Sequence, residues 1–211
     1  LFNKVNGIQL YKNLNSDSIK REIEESLKRM GTDYVDVYMT HWQSIEGSEY
    51  YVPIQKTMEV LNDLKAQGKI KAIGAANVDI KQIQEYLKHG ELDIVQAKYS
   101  ILDRGIEDEI IPCCRENGVT IQAYSPLEMG LLSGTMPRDY KPVGAQIPKK
   151  WFQPDNMQKA MDVMDQWKPL CEKYNCTIAN LALAWILAQG EFINLLSGST
   201  TVDQIKENVK S

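Results

Sequence analysis

Histidine and cysteine are scarce in this chain: two histidines, His41 and His89, and four cysteines, Cys113, Cys114, Cys171 and Cys176, among 211 residues. The cysteine spacings match no zinc-ligand pattern and both histidines lie far from them, so the pattern predicts plain thiols rather than a metal site. Runs of basic residues are missing too. The 24 Lys and Arg are scattered among 28 Asp and Glu for a net charge of −4, which points away from nucleic acid. No apolar stretch reaches the ~20 residues that span a bilayer, and the opening "LFNKVNGIQL" is not a charged segment followed by an apolar one, so neither a membrane span nor a leader is predicted. Neither G-x-G-x-x-G nor G-x-x-x-x-G-K-S/T follows any strand-like segment, which leaves doubly wound dinucleotide folds and P-loop enzymes unsupported. A cytoplasmic, single-domain globular protein is the reading that remains, with 43% hydrophobic residues sufficient for one core.

What is present alternates. "SDSIKREIEESLKRMG" sets Ile19, Ile23, Leu27 and Met30 at helical spacing between a cap at Ser16 and a stop at Gly31. "DYVDVYMTH" is β-branched and aromatic, as a strand is. A helix "PIQKTMEVLNDLKAQG" follows, opened by Pro53 and closed by Gly68. Strand "IKAIGAANV", helix "DIKQIQEYLKHG", strand "LDIVQAKYS", helix "IEDEIIPCCRENG" and strand "VTIQAYSPL" continue the pattern. After a long interruption come the apolar helix "TIANLALAWILAQ", the strand "FINLLSG" and the helix "VDQIKENVKS". Five apolar strands alternating with six helices predict a parallel α/β sheet buried on both faces.

The template that suits this order is the (β/α)₈ TIM barrel, in which functional residues gather where strands end. His41 ends the first strand, Asn77 the second, and Gln96 and Tyr99 lie late on the third. Tyr124 and Ser125 end the fourth, and Gly198 and Ser199 the fifth. Five apolar strands that all surface in donor-rich residues point to one binding site.

"MGTDYVDVYMTHWQS", "GKIKAIGAANV", "DIVQAKYSILDR", "AYSPLEMGLLSG" and "SGSTTVDQIKEN", in that order and spacing, resemble the aldo-keto reductase superfamily from about residue 14 to the end. Within it, "LFNKVNGIQLYKNL" and "YMTHWQS" are most similar to bacterial enzymes of the NADH-dependent methylglyoxal reductase type. The resemblance implies an oxidoreductase that reduces aldehydes and ketones, small ones such as methylglyoxal included, by hydride transfer from a reduced nicotinamide. It also implies a catalytic Asp, a proton-donating Tyr, a Lys that lowers that phenol's pKa and a His that hydrogen-bonds the carbonyl oxygen. His41 matches the histidine, with Trp42 beside it as a pocket wall. His89, at a helix end, has a capping role. A non-catalytic, nucleotide-binding homologue, or an inactive fragment, competes with this reading; a different barrel enzyme that binds a sugar phosphate is a weaker alternative, because the Gly-rich phosphate turn it requires is not seen.

By the same resemblance Asn77 and Gln96 bond the nicotinamide amide and Tyr124 stacks on its ring. Ser125, Leu127, Gly130, Leu132 and Ser133 follow the pyrophosphate, while Gly198, Ser199, Thr200, Gln204, Glu207 and Asn208 hold the adenosine end. Position 76 is Ala where many members have Ser. Gly198, Thr200 and Gln204 stand where NADPH-using members place Lys or Arg. A 2′-phosphate is best held by charge-assisted donors, so NADH is expected over NADPH.

The resemblance places the Asp, Tyr and Lys on strands upstream of residue 1. Lys4, Tyr11 and Tyr34 sit in the wrong context to replace them. The chain is therefore expected to be an incomplete barrel, about strands four to eight, with an unpaired parallel edge at each end. Residues 131–156, "LLSGTMPRDYKPVGAQIPKKWFQPDN", lack periodicity, and Trp151 and Phe152 favour an ordered flap over a solvated insertion.

Overall fold

The computed structural model describes residues 12–211 and the backbone of two short antiparallel strands, β1 (Lys4–Val5) and β2 (Ile8–Gln9). The side chain of Lys4 and all of Tyr11 lie outside the described residues. The chain forms two compact units, Leu1–Ala97 with Asp108–Ile121, and Lys98–Glu107 with Gln122–Ser211.

The first unit opens with α1 (Ser16–Met30). Asn15, not Ser16, is its cap: the Asn15 side chain accepts the Ser18 N–H at 2.8 Å, and Ser16 is already helical. Both residue types serve equally well there, so only the backbone decides between neighbours. Ile19, Ile23 and Leu27 are buried as the spacing predicts, whereas Met30, the last residue of the helix, is exposed. Gly31, at φ 67°, closes the helix by donating to the Leu27 carbonyl.

Strands β3 (Val35–Thr40), β4 (Ile70–Ala76) and the start of β5 (Ile94–Lys98) run parallel, with Tyr38 opposite Ile73 and Ala76 opposite Gln96. β6 (Thr120–Tyr124) joins beside β5, and the Thr120 N–H donates to Asp93 at 2.9 Å. Helices α2 (Ile54–Ala66), α3 (Ile80–His89) and α4 (Ile110–Glu116) alternate with these strands. The core holds Met58, Leu61, Leu64, Ile73, Ile83, Val95 and Ile121, all essentially buried. Each large side chain of this kind stabilises by roughly 1.5–3 kcal/mol. β4 has a neighbour on each side and is buried over Ile73–Ala76. Among the described residues β3 has one neighbour, and it leaves Val37 38% exposed.

The second unit holds the end of β6, β7 (Ile193–Leu196) beside it, and the helices α5 (Pro154–Asp165), α6 (Lys168–Tyr174), α7 (Ile178–Leu187) and α8 (Val202–Asn208). The structure thus has eight helices among the described residues where periodicity predicts six. α5 and α6 fill part of the expected interruption. Met157, Ala160, Met161 and Met164 form a buried stripe on α5, but methionine and alanine mark a core face less plainly than branched residues do.

The stretch before α5 is ordered. Phe152 is 2% exposed and packs with Leu131, Leu132 and the α5 stripe, and Arg138 pairs with Asp162 and Asp165. Tyr140 donates to Gln146 at 2.8 Å, and Gln146 in turn donates to the Met129 carbonyl at 3.3 Å.

Candidate active site

In the first unit the polar residues collect at the C-terminal ends of the strands. His41 follows β3 and is exposed, its ring 6.0 Å from that of Trp42. The Lys12 ammonium stands 4.2 Å from the centre of the Trp42 ring. Asn77 follows β4 in a left-handed conformation, φ 56°, which Asn tolerates better than most residues. Its side-chain amide donates to the His41 carbonyl at 3.0 Å and its N–H to the Gln96 carbonyl at 3.1 Å. One residue therefore ties three strand ends together.

Beneath His41 lies a buried polar knot. Tyr86 of α3 donates to Gln43 at 2.8 Å and lies 2.9 Å from the Thr40 hydroxyl, to which Gln43 also donates at 3.2 Å. Burial pushes the Tyr86 phenol up to about 12, against the opposing effect of these bonds, so it stays protonated. The two residues flanking His41 and Trp42, Thr40 and Gln43, are thereby pinned from below.

The His89 imidazole does not cap its helix. It contacts the Glu85 carboxylate, one turn back, at 2.7 Å, because i and i+4 share a face. Tyr34 lies exposed under the Lys71 ammonium, 3.7 Å away. All four cysteines are free, and burial raises the Cys114 thiol to about 12.

The second unit contains a cavity of about 700 Å³, a size typical of small-molecule and cofactor sites. Ten of the residues singled out in the sequence line it: Tyr124, Ser125, Leu127, Gly130, Ser133, Gly198, Thr200, Gln204, Glu207 and Asn208. Two do not. Leu132 is fully buried in the apolar cluster beneath, and the Ser199 hydroxyl accepts from Asn208 at 3.1 Å. Sequence reasoning missed Met129, Thr135, Met136, Pro137, Tyr140, Thr177 and Leu196, which also form the walls. Several lie in the aperiodic stretch, where no spacing marks a face.

The wall after β6 is an unusual turn. Ser125, Glu128 and Met129 have φ of 55°, 45° and 52°, followed by Gly130 at 95°. The turn is closed by its own backbone bonds, the Glu128 N–H donating to the Ser125 carbonyl and the Gly130 N–H to the Leu127 carbonyl, each at 2.9 Å. Across the cavity, Gln204 accepts from the Thr200 N–H at 2.7 Å and hydroxyl at 3.1 Å. Burial and the carboxylates of Asp103 and Glu128 raise the Tyr124 phenol, and Lys98 opposes them.

Donor-rich residues at the ends of parallel strands define a β/α protein of the class that binds ligands on the loops following its strands. The chain belongs to the aldo/keto reductase family, whose sequence pattern it matches over residues 2–211. It is 59% identical over 209 residues to the NADH-specific methylglyoxal reductase of Escherichia coli (strain K12), which accounts for 99% of this chain and 64% of that protein. To aldo-keto reductase YhdN of Bacillus subtilis (strain 168) it is 34% identical over 186 residues, 86% of this chain and 54% of that one. The solved glycerol dehydrogenase AKR11B4 from Gluconobacter oxydans matches with a TM-score of 0.88 at 26% identity, over 99% of this chain and 64% of its own. The chain spans less than two thirds of the length of each.

Proposed function

We propose that the protein is an NADH-preferring carbonyl reductase acting on small aldehydes such as methylglyoxal. The observation that carries this reading is the second unit's cavity, walled by the Tyr124 ring, the left-handed Ser125–Gly130 turn and the Thr200–Asn208 segment. Its lining fits a dinucleotide: an aromatic face for a nicotinamide ring, the Ser125–Gly130 turn with Ser133 for a pyrophosphate, and Gln204, Glu207 and Asn208 for an adenosine. Among the described residues no lysine or arginine lines it, which disfavours a 2′-phosphate and supports NADH over NADPH.

A bound reduced nicotinamide would supply hydride. By the family resemblance Asn77 and Gln96 would bond its carboxamide, and His41 would donate a hydrogen bond to the substrate carbonyl, with Trp42 beside it as a wall. The alkoxide's proton donor and its lysine come from the strands that the family places before β3. The chain would then contribute strands four to eight of one (β/α)₈ barrel in a cytoplasmic enzyme, a compartment that suits four free thiols.

The test is reduction of methylglyoxal by the full-length protein with each cofactor, beside a His41→Ala variant. The expected result is turnover favouring NADH by tenfold or more, with kcat/KM falling about a hundredfold in the variant, the scale of one preorganised donor. Nucleotide binding without turnover of any small carbonyl would instead mean a non-catalytic homologue.

A further inference from the structure

Glu128 stands in the middle of the turn that walls the cavity, yet it is 3% exposed and does not line it, while its neighbours Leu127 and Met129 do. Burying an unpaired carboxylate is strongly unfavourable, so its partners define what it does. One oxygen accepts the Ser100 hydroxyl at 2.6 Å and the other meets the Lys98 ammonium at 2.9 Å. Both anchors lie at the end of β5 and are fixed in turn. The Ser100 oxygen also accepts the N–H groups of Leu102 and Asp103, at 3.2 and 2.9 Å, and Lys98 reaches Asp103 at 2.7 Å. Burial pulls the Lys98 pKa down, but the bonds to Asp103 and Glu128 outweigh it and keep the ammonium charged.

The turn being held is one that L-residues resist, with three non-glycine residues in the left-handed region within five positions. Such backbone persists only where its surroundings over-determine it. The internal bonds, from Glu128 N–H to Ser125 and from Gly130 N–H to Leu127, close the loop on itself without fixing it to the sheet. The Glu128 side chain supplies that attachment.

We propose that Glu128, locked by Lys98 and Ser100, is a positioning residue that keeps the Ser125–Gly130 turn in its nucleotide-receiving shape from behind the cavity wall. Cofactor affinity then depends on a carboxylate that never touches the cofactor. This inference rests on the cavity being the nucleotide site. Charge and length both matter. The Ser100 lone pairs are occupied by two N–H groups, so its hydroxyl must donate, and Lys98 can only donate. Two donors require two acceptors, which a carboxylate provides and an amide does not.

The test uses Glu128→Gln in the full chain, with Ser100→Ala as the milder variant should the first not fold. Hydrogen exchange without nucleotide reads the turn directly, and NADH titration by protein fluorescence reads its consequence. The expected result is exchange over residues 125–134 faster by about tenfold or more with β3 and β4 unchanged, and NADH bound about tenfold more weakly, the scale of one charge-assisted bond. Unchanged exchange overturns the proposal, as does faster exchange with undiminished NADH affinity. If the unmodified chain binds no nucleotide, the reading of the cavity falls and the inference with it. The exchange data then still report whether Glu128 holds the turn.

Discussion

The Asn77 side-chain amide donates to the His41 main-chain carbonyl at 3.0 Å, joining the exit of β4 to the exit of β3. The same residue holds a φ of 56° that glycine adopts freely and alanine resists. Two substitutions separate these roles. Asn77→Gly removes the bond and keeps the conformation, whereas Asn77→Ala loses both. Urea unfolding should find Asn77→Ala less stable than Asn77→Gly by about 1 kcal/mol. Both should weaken NADH binding to a similar degree, because both remove the amide proposed to bond the nicotinamide carboxamide. Equal stabilities would show that the backbone at Asn77 is not strained.

The Tyr86 phenol makes a pH prediction whose sign is fixed. Its folded pKa is raised from 10 to about 12, mainly by burial, so the protonated form is favoured in the fold. The associated stability is complete below pH 10 and is lost as pH climbs toward 12, on the order of 2–3 kcal/mol in all. Tyr38 titrates in the same window, raised to about 12 by burial and then by Glu22, so the comparison must be differential. Tyr86→Phe should cost roughly 1–3 kcal/mol at neutral pH by leaving Gln43 short of a partner. It should also flatten the alkaline loss of stability. Parallel pH profiles for the two proteins would place the effect elsewhere.

Strands β3 to β7 were legible because each is a short apolar run between capped helices, a pattern that burial on both faces imposes. The same logic failed at α5, whose stripe of Met157, Ala160, Met161 and Met164 follows a proline-rich stretch and lacks branched residues. His41, Asn77 and Tyr124 stood out by position, since a polar residue closing an apolar strand is where a β/α fold opens to solvent. Glu128 could not. An acid in a polar turn reads as solvated, and only backbone reversed at Glu128 and Met129 sends its side chain inward to Lys98. Leu132 shows the opposite displacement, carried by the family resemblance to a cofactor contact but drawn into the Phe152 cluster by its apolar side chain.

Two glycines with nearly equal φ provide a control for packing. Gly68, at 74°, has open space where a Cβ would stand. Gly134, at 75°, would set one 2.9 Å from the Ile178 Cβ, a branch point with no freedom to withdraw. Gly68→Ala should therefore cost only conformational strain, about 1–2 kcal/mol. Gly134→Ala should cost that and a further 1–3 kcal/mol or so from overpacking. Thermal melts should separate the two variants by several degrees. Coincident melts would mean that the cluster around Ile178 yields to a methyl group.

The adenosine side of the cavity offers a direct test of cofactor choice. Gln204 accepts from both the N–H and the hydroxyl of Thr200, so its carbonyl holds the loop after β7 against the start of α8. Gln204→Arg replaces that acceptor with a fork of donors suited to a phosphate dianion. It releases the Thr200 bonds, at about 0.5–1.5 kcal/mol of stability, and adds a charge-assisted contact to a 2′-phosphate worth roughly 1.5–3 kcal/mol. The ratio of NADPH to NADH affinity should rise by about tenfold to a hundredfold, read by titrating each nucleotide against protein fluorescence. The change should come mainly from tighter NADPH, because NADH has no phosphate at that position. A ratio that does not move would place the ribose 2′ position away from α8 and require a different orientation of the nucleotide in the cavity.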